Sequence, residues 1–507
     1  MTGPMEIKIV ISGAEPQKEY VLMAERPIKF VDAMNQLGLS FYRPCGGIGR
    51  CLSCAVRFLY GMPQMTSDDE RALDFSEMRA GWRLGCKCVI TRDCKIEVPA
   101  SLASEITSVL AEEVQEGADL SKENIGIAVD IGTTTLATAI IDLTSGKILR
   151  QRNCTNSQLR FGADVMSRVK AAMEGHGEEL MDCVRQDLTE LGKKILGDNF
   201  LMHKIVFSGN TIMTHLLLGY TVDGLANYPF VPYTLDSVSF VEKGRNIFFM
   251  PCISAFVGGD IVSGLYYLRR KAKGKNNDSF LLVDLGTNAE LVLFDGNSYW
   301  CSSASAGPAL EGASLCCGVA SVRGAINHLV INNGKCSYTT IGGEAPIGLC
   351  GSGVVDLIHE LHRNGIIDNG GLLLDEYAEK GYKIAENVVV TGEDIQQVLL
   401  AKAAIYSAIE LLVREANMSF DDIDHLYVSG GLGASIGVWA ASGIGIFPKE
   451  LLPKFEAVGN TSLLGAIDYV IEGDEAILNE IRAKSKVVIL NDNPEFEKIF
   501  IDNLYLK

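Results

Sequence analysis

The chain has 507 residues, enough for two to four domains rather than one ordinary core. Hydrophobic residues make up 47% and charged residues 21%, the profile of a soluble globular protein, and no apolar run approaches the length of a membrane span. A formal charge of −18 argues against nucleic-acid binding, and the opening MTGPMEIKIV lacks the basic-then-apolar order of a secretion signal, so a cytoplasmic location with no membrane partner is expected.

In chain order, MEIKIVI (5–11) alternates apolar and polar side chains and reads as a strand, with a second at YVLM (20–23). Residues 28–39 (IKFVDAMNQLGL) carry apolar residues near helical spacing and stop at Gly38. A cysteine- and glycine-rich loop fills 41–54, followed by strand patterns at AVRFLY (55–60) and KIEV (95–98). The acidic stretch 101–124 has no deep apolar pattern and is expected to be a linker.

Beyond it the sequence echoes itself. Residues 125–142 (IGIAVDIGTTTLATAIID) and 279–296 (SFLLVDLGTNAELVLFDG) are each an apolar strand ending in Asp, a Gly–Thr turn and a second strand. Two distant copies imply two similar halves, each opening with a β-hairpin, and helical patterns at 163–196 and 394–416 make the class α/β.

Six of the fourteen cysteines fall in the first hundred residues, and Cys45, Cys51 and Cys54 share one loop. Two bridged irons need four thiolates from a compact pocket, and three can come from one loop only where its backbone wraps closely. Gly46, Gly47 and Gly49 permit that. The spacing, one residue longer than the plant type, resembles vertebrate-type and related bacterial 2Fe–2S ferredoxins. The fourth ligand is Cys86 or Cys88, and the Leu-x-Cys usual in that family matches Leu84–Cys86. Cys88 and Cys94 are then expected as strand-buried thiols. A zinc site would more naturally show two C-x2-C pairs.

An Asp followed by Gly–Thr offers backbone N–H groups and hydroxyls to phosphate without a bulky side chain in the way. Two facing hairpins can hold a triphosphate, with Asp130 and Asp284 orienting Mg²⁺ through its waters and Gly132, Thr133, Thr134, Gly286, Thr287 and Asn288 contacting phosphate. HLYVSGGLGAS (425–435) is a strand leading to Gly430, Gly431 and Gly433, a bare surface suited to adenine and ribose. No P-loop lysine motif occurs. These elements in this order resemble the superfamily of actin, the sugar kinases and acetate kinase, with KIVFSGNTIMTHL (204–216) and VGNTSLLGA (458–466) at its connecting segments.

The fusion resembles a known family, the reductive activators of corrinoid proteins, over nearly the whole chain. Further resemblances are NSQLRFGADVMSRV (156–169), FVGGDIVSG (256–264), PALEGASLCCG (308–318) and PIGLCGSGVVDLI (346–358). The resemblance implies a multidomain α+β and α/β protein. A β-grasp 2Fe–2S ferredoxin (1–100) and a linker (101–124) precede a two-halved, actin-like, ribonuclease-H-like ATPase (125–507). It implies ATP-driven one-electron reduction of Co(II) to Co(I) in a corrinoid protein, the cobalamin-binding subunit of a methyltransferase system. An upstream low-potential donor is implied, and a homodimer is left open. Longer members carry linker and middle segments between ferredoxin and ATPase, whereas only about twenty-five residues intervene here. Asp260, in VGGD, is nominated as the carboxylate that orients the attacking water, the alternative being a helix cap. Cys316, Cys317 and Cys350 are expected to be packing residues. Rival functions are a small-molecule kinase with a fused redox sensor, a radical-dehydratase activator, which would lack the ferredoxin, and an ATP-gated carrier without turnover.

Overall fold

The computed structural model describes residues 4–12, 18–37, 39–41, 54–99, 103–105, 124–196, 204–271, 278–312, 314–433 and 435–506. In the strand Met5–Ser12, Met5, Ile7, Ile9 and Ile11 point into one core while Glu6 and Lys8 face outward, the period-two pattern of a half-covered sheet. This strand pairs antiparallel with Lys18–Ala24 and parallel with Cys94–Pro99, and Ala55–Tyr60 and Trp82–Leu84 complete five strands. Phe30, Ala33 and Met34 on the helix Phe30–Gln36 close the core.

The helix is shorter than the pattern 28–39 predicts. Ile28–Lys29 pairs with Val89–Ile90, and Leu39–Phe41 pairs with Ala103–Glu105, which lies in the segment expected as a linker. Leu39 and Phe41 are both buried, and an extended chain puts alternate residues on one face.

The two hairpins found in the sequence each nucleate a six-stranded sheet. Ile125–Ile131 runs antiparallel to Thr135–Asp142, which pairs with Lys147–Thr155, and on its other side runs parallel to Lys204–Gly209. Phe280–Leu285 repeats this with Ala289–Phe294, Tyr299–Ala304 and, in parallel, His425–Ser429. Ile125, Ile127, Val129 and Ile131 enter one core and Ala128 another, so the strand is apolar throughout because both faces are covered.

A single apolar core joins the halves. It combines Ala128, Ala139 and Val206 of the first sheet with Leu282 and Val292 of the second, and includes the helices Gly259–Lys271 and Thr461–Ile471. These helices cross at glycines: a Cβ on Gly465 would lie 1.8 Å from the Ser263 carbonyl oxygen, and one on Gly264 2.8 Å from Thr461 Oγ1. Ser263 Oγ also donates to the Ser462 carbonyl at 2.7 Å.

The expected helix 163–196 is divided. Gly175, at φ 100°, separates Val165–Ala171 and one wide turn from Gly177–Leu196. Gly392–Glu415 is a continuous helix whose Thr391–Asp394 capping box satisfies its first N–H groups. It is long and apolar enough to cross a membrane, a span the chain was expected to lack, and most of it is buried in the second half. Its fully buried Lys402 donates to the Tyr505 carbonyl at 2.6 Å, tying the C-terminal segment to the core.

Candidate active site between the two hairpins

Asp130 and Asp284 occupy equivalent places near the ends of the first hairpin strands, each beside a serine of the neighbouring parallel strand, Ser208 and Ser429. One helix start links them. Asn460 caps the helix Thr461–Ile471 and donates from Nδ2 to Asp130 Oδ2 at 2.8 Å, and Ser462 Oγ donates to Asp130 Oδ1 at 2.7 Å. On the other side Ser429 Oγ donates to Asp284 Oδ2 at 3.0 Å and lies 2.8 Å from Thr461 Oγ1. Ser208 Oγ, 2.7 Å from Ser462 Oγ, closes the network. The segment 458–466 was recognisable in sequence as a connector, but its grip on both aspartates was not.

The first turn, Gly132–Thr134, needs its glycine: a Cβ there would lie 2.4 Å from the Thr135 carbonyl oxygen. Its carbonyls are held from behind, Gly132 O by Asn156 Nδ2 and Thr134 O by the Asn156 N–H, both at 2.9 Å. In the second turn the Gly286 N–H donates to Asn288 O at 3.0 Å, and Thr287 Oγ1 donates to Glu311 Oε2 at 3.0 Å. The glycine loop abuts this hairpin. Gly430 has φ +89°, and a Cβ there would sit 2.3 Å from Leu285 O and 2.9 Å from Asp284 Oδ1. Gly433 is packed against Val428, whereas Gly431 is exposed with open space beside it.

Asp260 lies in the first turn of Gly259–Lys271, its Oδ1 accepting the Ile261 N–H at 2.8 Å. Burial, with the charges of Asp284 and Asp130 adding to it, pushes its carboxyl up to about 7. Burial raises Asp284 to about 6 against the hydrogen bond from Ser429, with Asp130 and Glu311 contributing. Asp130 is also raised by burial, opposed by Ser462 and Asn460.

Two further carboxyls belong to the site. Glu290 stands opposite Asp284 in the hairpin register, and burial followed by the charges of Asp260 and Asp284 raises it well above its ordinary value. Glu311, raised by burial, holds Thr287. The sequence signal for Glu290 was a single charge in an otherwise apolar strand.

In the N-terminal module, Ala55 pairs with Leu84 and the Gly85 N–H donates to Cys54 O at 2.8 Å, which brings Cys54 and Cys86 to neighbouring chain ends. Cys45, Cys51 and the glycines of their loop lie outside the described residues. Cys88 is buried and donates to Leu84 O at 3.4 Å, burial pushing its thiol far up. It follows a short helical turn rather than sitting in a strand, whereas Cys94 opens the strand Cys94–Pro99 and is fully buried. Cys54, itself buried, and half-buried Cys86 lie at neighbouring chain ends and fit a thiolate-bound iron–sulfur group, whereas Cys88 turns its thiol to the Leu84 carbonyl in the core. Cys317 and Cys350 are buried, but Cys316 is exposed, against expectation, with Sγ 2.6 Å from Asp394 Oδ2.

Residues 278–507 match the family model for the C-terminal, ASKHA domain of RACo, and residues 125–271 match that for the RACo middle region. The chain is 33% identical over 417 residues to the corrinoid activation enzyme RamQ of Eubacterium limosum, covering 75% of this chain and 70% of that protein. The chain belongs to the RACo family. A [Co(II) methylated amine-specific corrinoid protein] reductase of Methanosarcina barkeri, like RamQ a relative of this RACo-family chain, is 23% identical over 392 residues, 68% of this chain and 70% of its own length. A solved reductive activator for a corrinoid, iron–sulfur protein superposes with a TM-score of 0.67 at 26% identity, covering 99% of this chain and 98% of that one. The RACo middle region is thus not missing, as the short spacing after the ferredoxin had suggested. It is the half that opens with the Asp130 hairpin, and the ASKHA match holds the Asp284 hairpin and the glycine loop.

Proposed function

We propose that this RACo-family chain is an ATP-dependent reductive activator that returns a corrinoid protein from Co(II) to Co(I) by one-electron transfer. Family membership supplies the reaction class. The observation that carries the site is the hydrogen-bonded bridge from Asp130 through Ser462 and Thr461 to Ser429 and Asp284. It couples the two phosphate turns to one helix start, so a nucleotide held by both turns acts on both halves.

In this scheme the turns carrying Gly132, Thr133 and Thr134 and Gly286, Thr287 and Asn288 bind the triphosphate through the N–H groups and hydroxyls not spent within the protein, as the Gly286 N–H is, and the loop of Gly430, Gly431 and Gly433 receives adenosine at its open point, Gly431. Asp130 and Asp284 would orient hydrated Mg²⁺, which would neutralise phosphate charge. Asp260 accepts a proton from the attacking water, its raised carboxyl being matched to neutral pH. Cys45, Cys51, Cys54 and Cys86 would hold a 2Fe–2S cluster, which when bound supplies a one-electron carrier. An upstream low-potential donor provides the electron, and the acceptor is the cobalamin-binding subunit of a methyltransferase system in the cytoplasm. Co(I) is strongly reducing, so nucleotide binding and hydrolysis must favour the state in which transfer proceeds, through differential affinity for two arrangements of the halves. A homodimer is compatible with this scheme.

Phosphate release measured with and without a Co(II) corrinoid protein tests the assignment. ATP turnover stimulated by that protein is expected, and Asp260→Asn should lower it about 100-fold or more while ATP binding persists. A phosphorylated small molecule in place of free phosphate would instead make the chain a kinase.

A further inference from the structure

Arg168 is fully buried and lies directly behind the first phosphate turn. Its Nη2 donates to the Thr133 carbonyl, Nη1 to Gln158 Oε1 at 3.0 Å and to Met213 Sδ at 3.1 Å, and Nε to the Gly162 carbonyl at 3.1 Å. Every one of these acceptors is neutral. The nearest acid in sequence, Asp164, spends its two oxygens on the Ser167 N–H and hydroxyl at 2.8 and 2.6 Å. Among the described residues no carboxylate forms an ion pair with Arg168. A buried guanidinium with no carboxylate paired directly to it is costly: burial lowers its proton affinity to about 10, and the charge of Asp164, acting through space, opposes that only in part.

The contact to Thr133 has a directional consequence. In a trans peptide the carbonyl and the following N–H point opposite ways, so a Thr133 carbonyl drawn toward Arg168 turns the Thr134 N–H away from it. The two flanking carbonyls, of Gly132 and Thr134, are held by Asn156. The second turn is supported differently: Thr287 is held by the acid Glu311, so a buried cation backs one turn and a half-buried carboxyl the other.

We propose that Arg168, oriented by Gln158, is a positioning residue for nucleotide phosphate, clamping the Thr133 carbonyl so that the turn presents its N–H groups and leaving a buried positive charge that the phosphates compensate. This rests on the nucleotide assignment made above. Gln158 is itself fixed by donating Nε2 to the Leu180 carbonyl at 2.7 Å and accepting from the guanidinium, so the fork cannot swing away.

The test is a binding series on the full chain with adenosine, AMP, ADP and ATP, each with Mg²⁺, by calorimetry. In the unaltered protein affinity should rise as phosphates are added. Arg168→Gln should weaken ATP by about 10- to 100-fold while changing adenosine by less than about threefold, and Arg168→Lys, which keeps the charge without the fork, should recover part of the loss. Gln158→Met, which leaves the guanidinium in place, should give a smaller loss with the same dependence on phosphate number, and remains informative if the arginine variants do not fold. Equal losses for adenosine and ATP in a cooperatively melting variant would make Arg168 a packing residue and overturn the proposal. Unaltered protein that gains no affinity from added phosphates would instead remove the nucleotide assignment on which it stands.

Discussion

Asp130, Asp260, Asp284, Glu290 and Glu311 gather five carboxyls at one site, each raised above its ordinary value chiefly by burial. The folded state therefore binds these protons more tightly than the unfolded chain, where carboxyls titrate at about 4. Stability contributed this way is complete below that pH and is lost as pH rises through about 6 and 7, the positions of Asp284 and Asp260. Without nucleotide or metal, the melting temperature should fall between pH 5 and 8, and Mg²⁺ with ATP should reverse much of the fall. A melting temperature that rises over that range would contradict the raised carboxyls. At the other site, Cys86→Ser should abolish the visible and paramagnetic signature of a reconstituted 2Fe–2S centre and Cys88→Ser should preserve it. The opposite result would exchange the two thiols. Asp130 and Asp284 were legible because an apolar strand running into Asp-x-Gly-Thr is unusual, and more so twice. Glu290 was not, since one acid in a strand reads equally as an edge charge, and Arg168 reads in sequence as an ordinary solvated helix residue.

Among the elements, the two hairpins and the long C-terminal helix were visible because their periodicity is strong and continuous. The joint between the halves was not. Asn460, Thr461 and Ser462 look in sequence like any helix start, because Asn, Thr and Ser cap helices everywhere. Nor does a sequence pattern say that Gly465 and Gly264 face a neighbouring helix rather than solvent. The structure makes the crossing a specific liability, since a methyl on Gly465 cannot coexist with the Ser263 carbonyl 1.8 Å away. Gly465→Ala should cost about 3 kcal/mol, the upper end for overpacking, read as a lower urea midpoint. It should also weaken ATP binding, because the displaced helix carries Ser462 and Thr461. Unchanged stability would mean that the helices are free to separate at that point.

At the scale of the whole molecule, a thiol-bearing module and two sheet-centred halves share one chain. The first half is the RACo middle region and the second the ASKHA domain, joined by a common apolar core and by hydrogen bonds from one helix to an aspartate and a serine of opposite sheets. Under the proposed nucleotide assignment, such a joint would carry a change in nucleotide to both sheets together, as coupling hydrolysis to electron transfer requires. The central claim is most directly tested by following the absorbance of a Co(II) corrinoid protein, anaerobically, with the reduced full-length chain in the presence and absence of ATP. Formation of Co(I) that depends on ATP is the expected result. Equal reduction with and without ATP would contradict it.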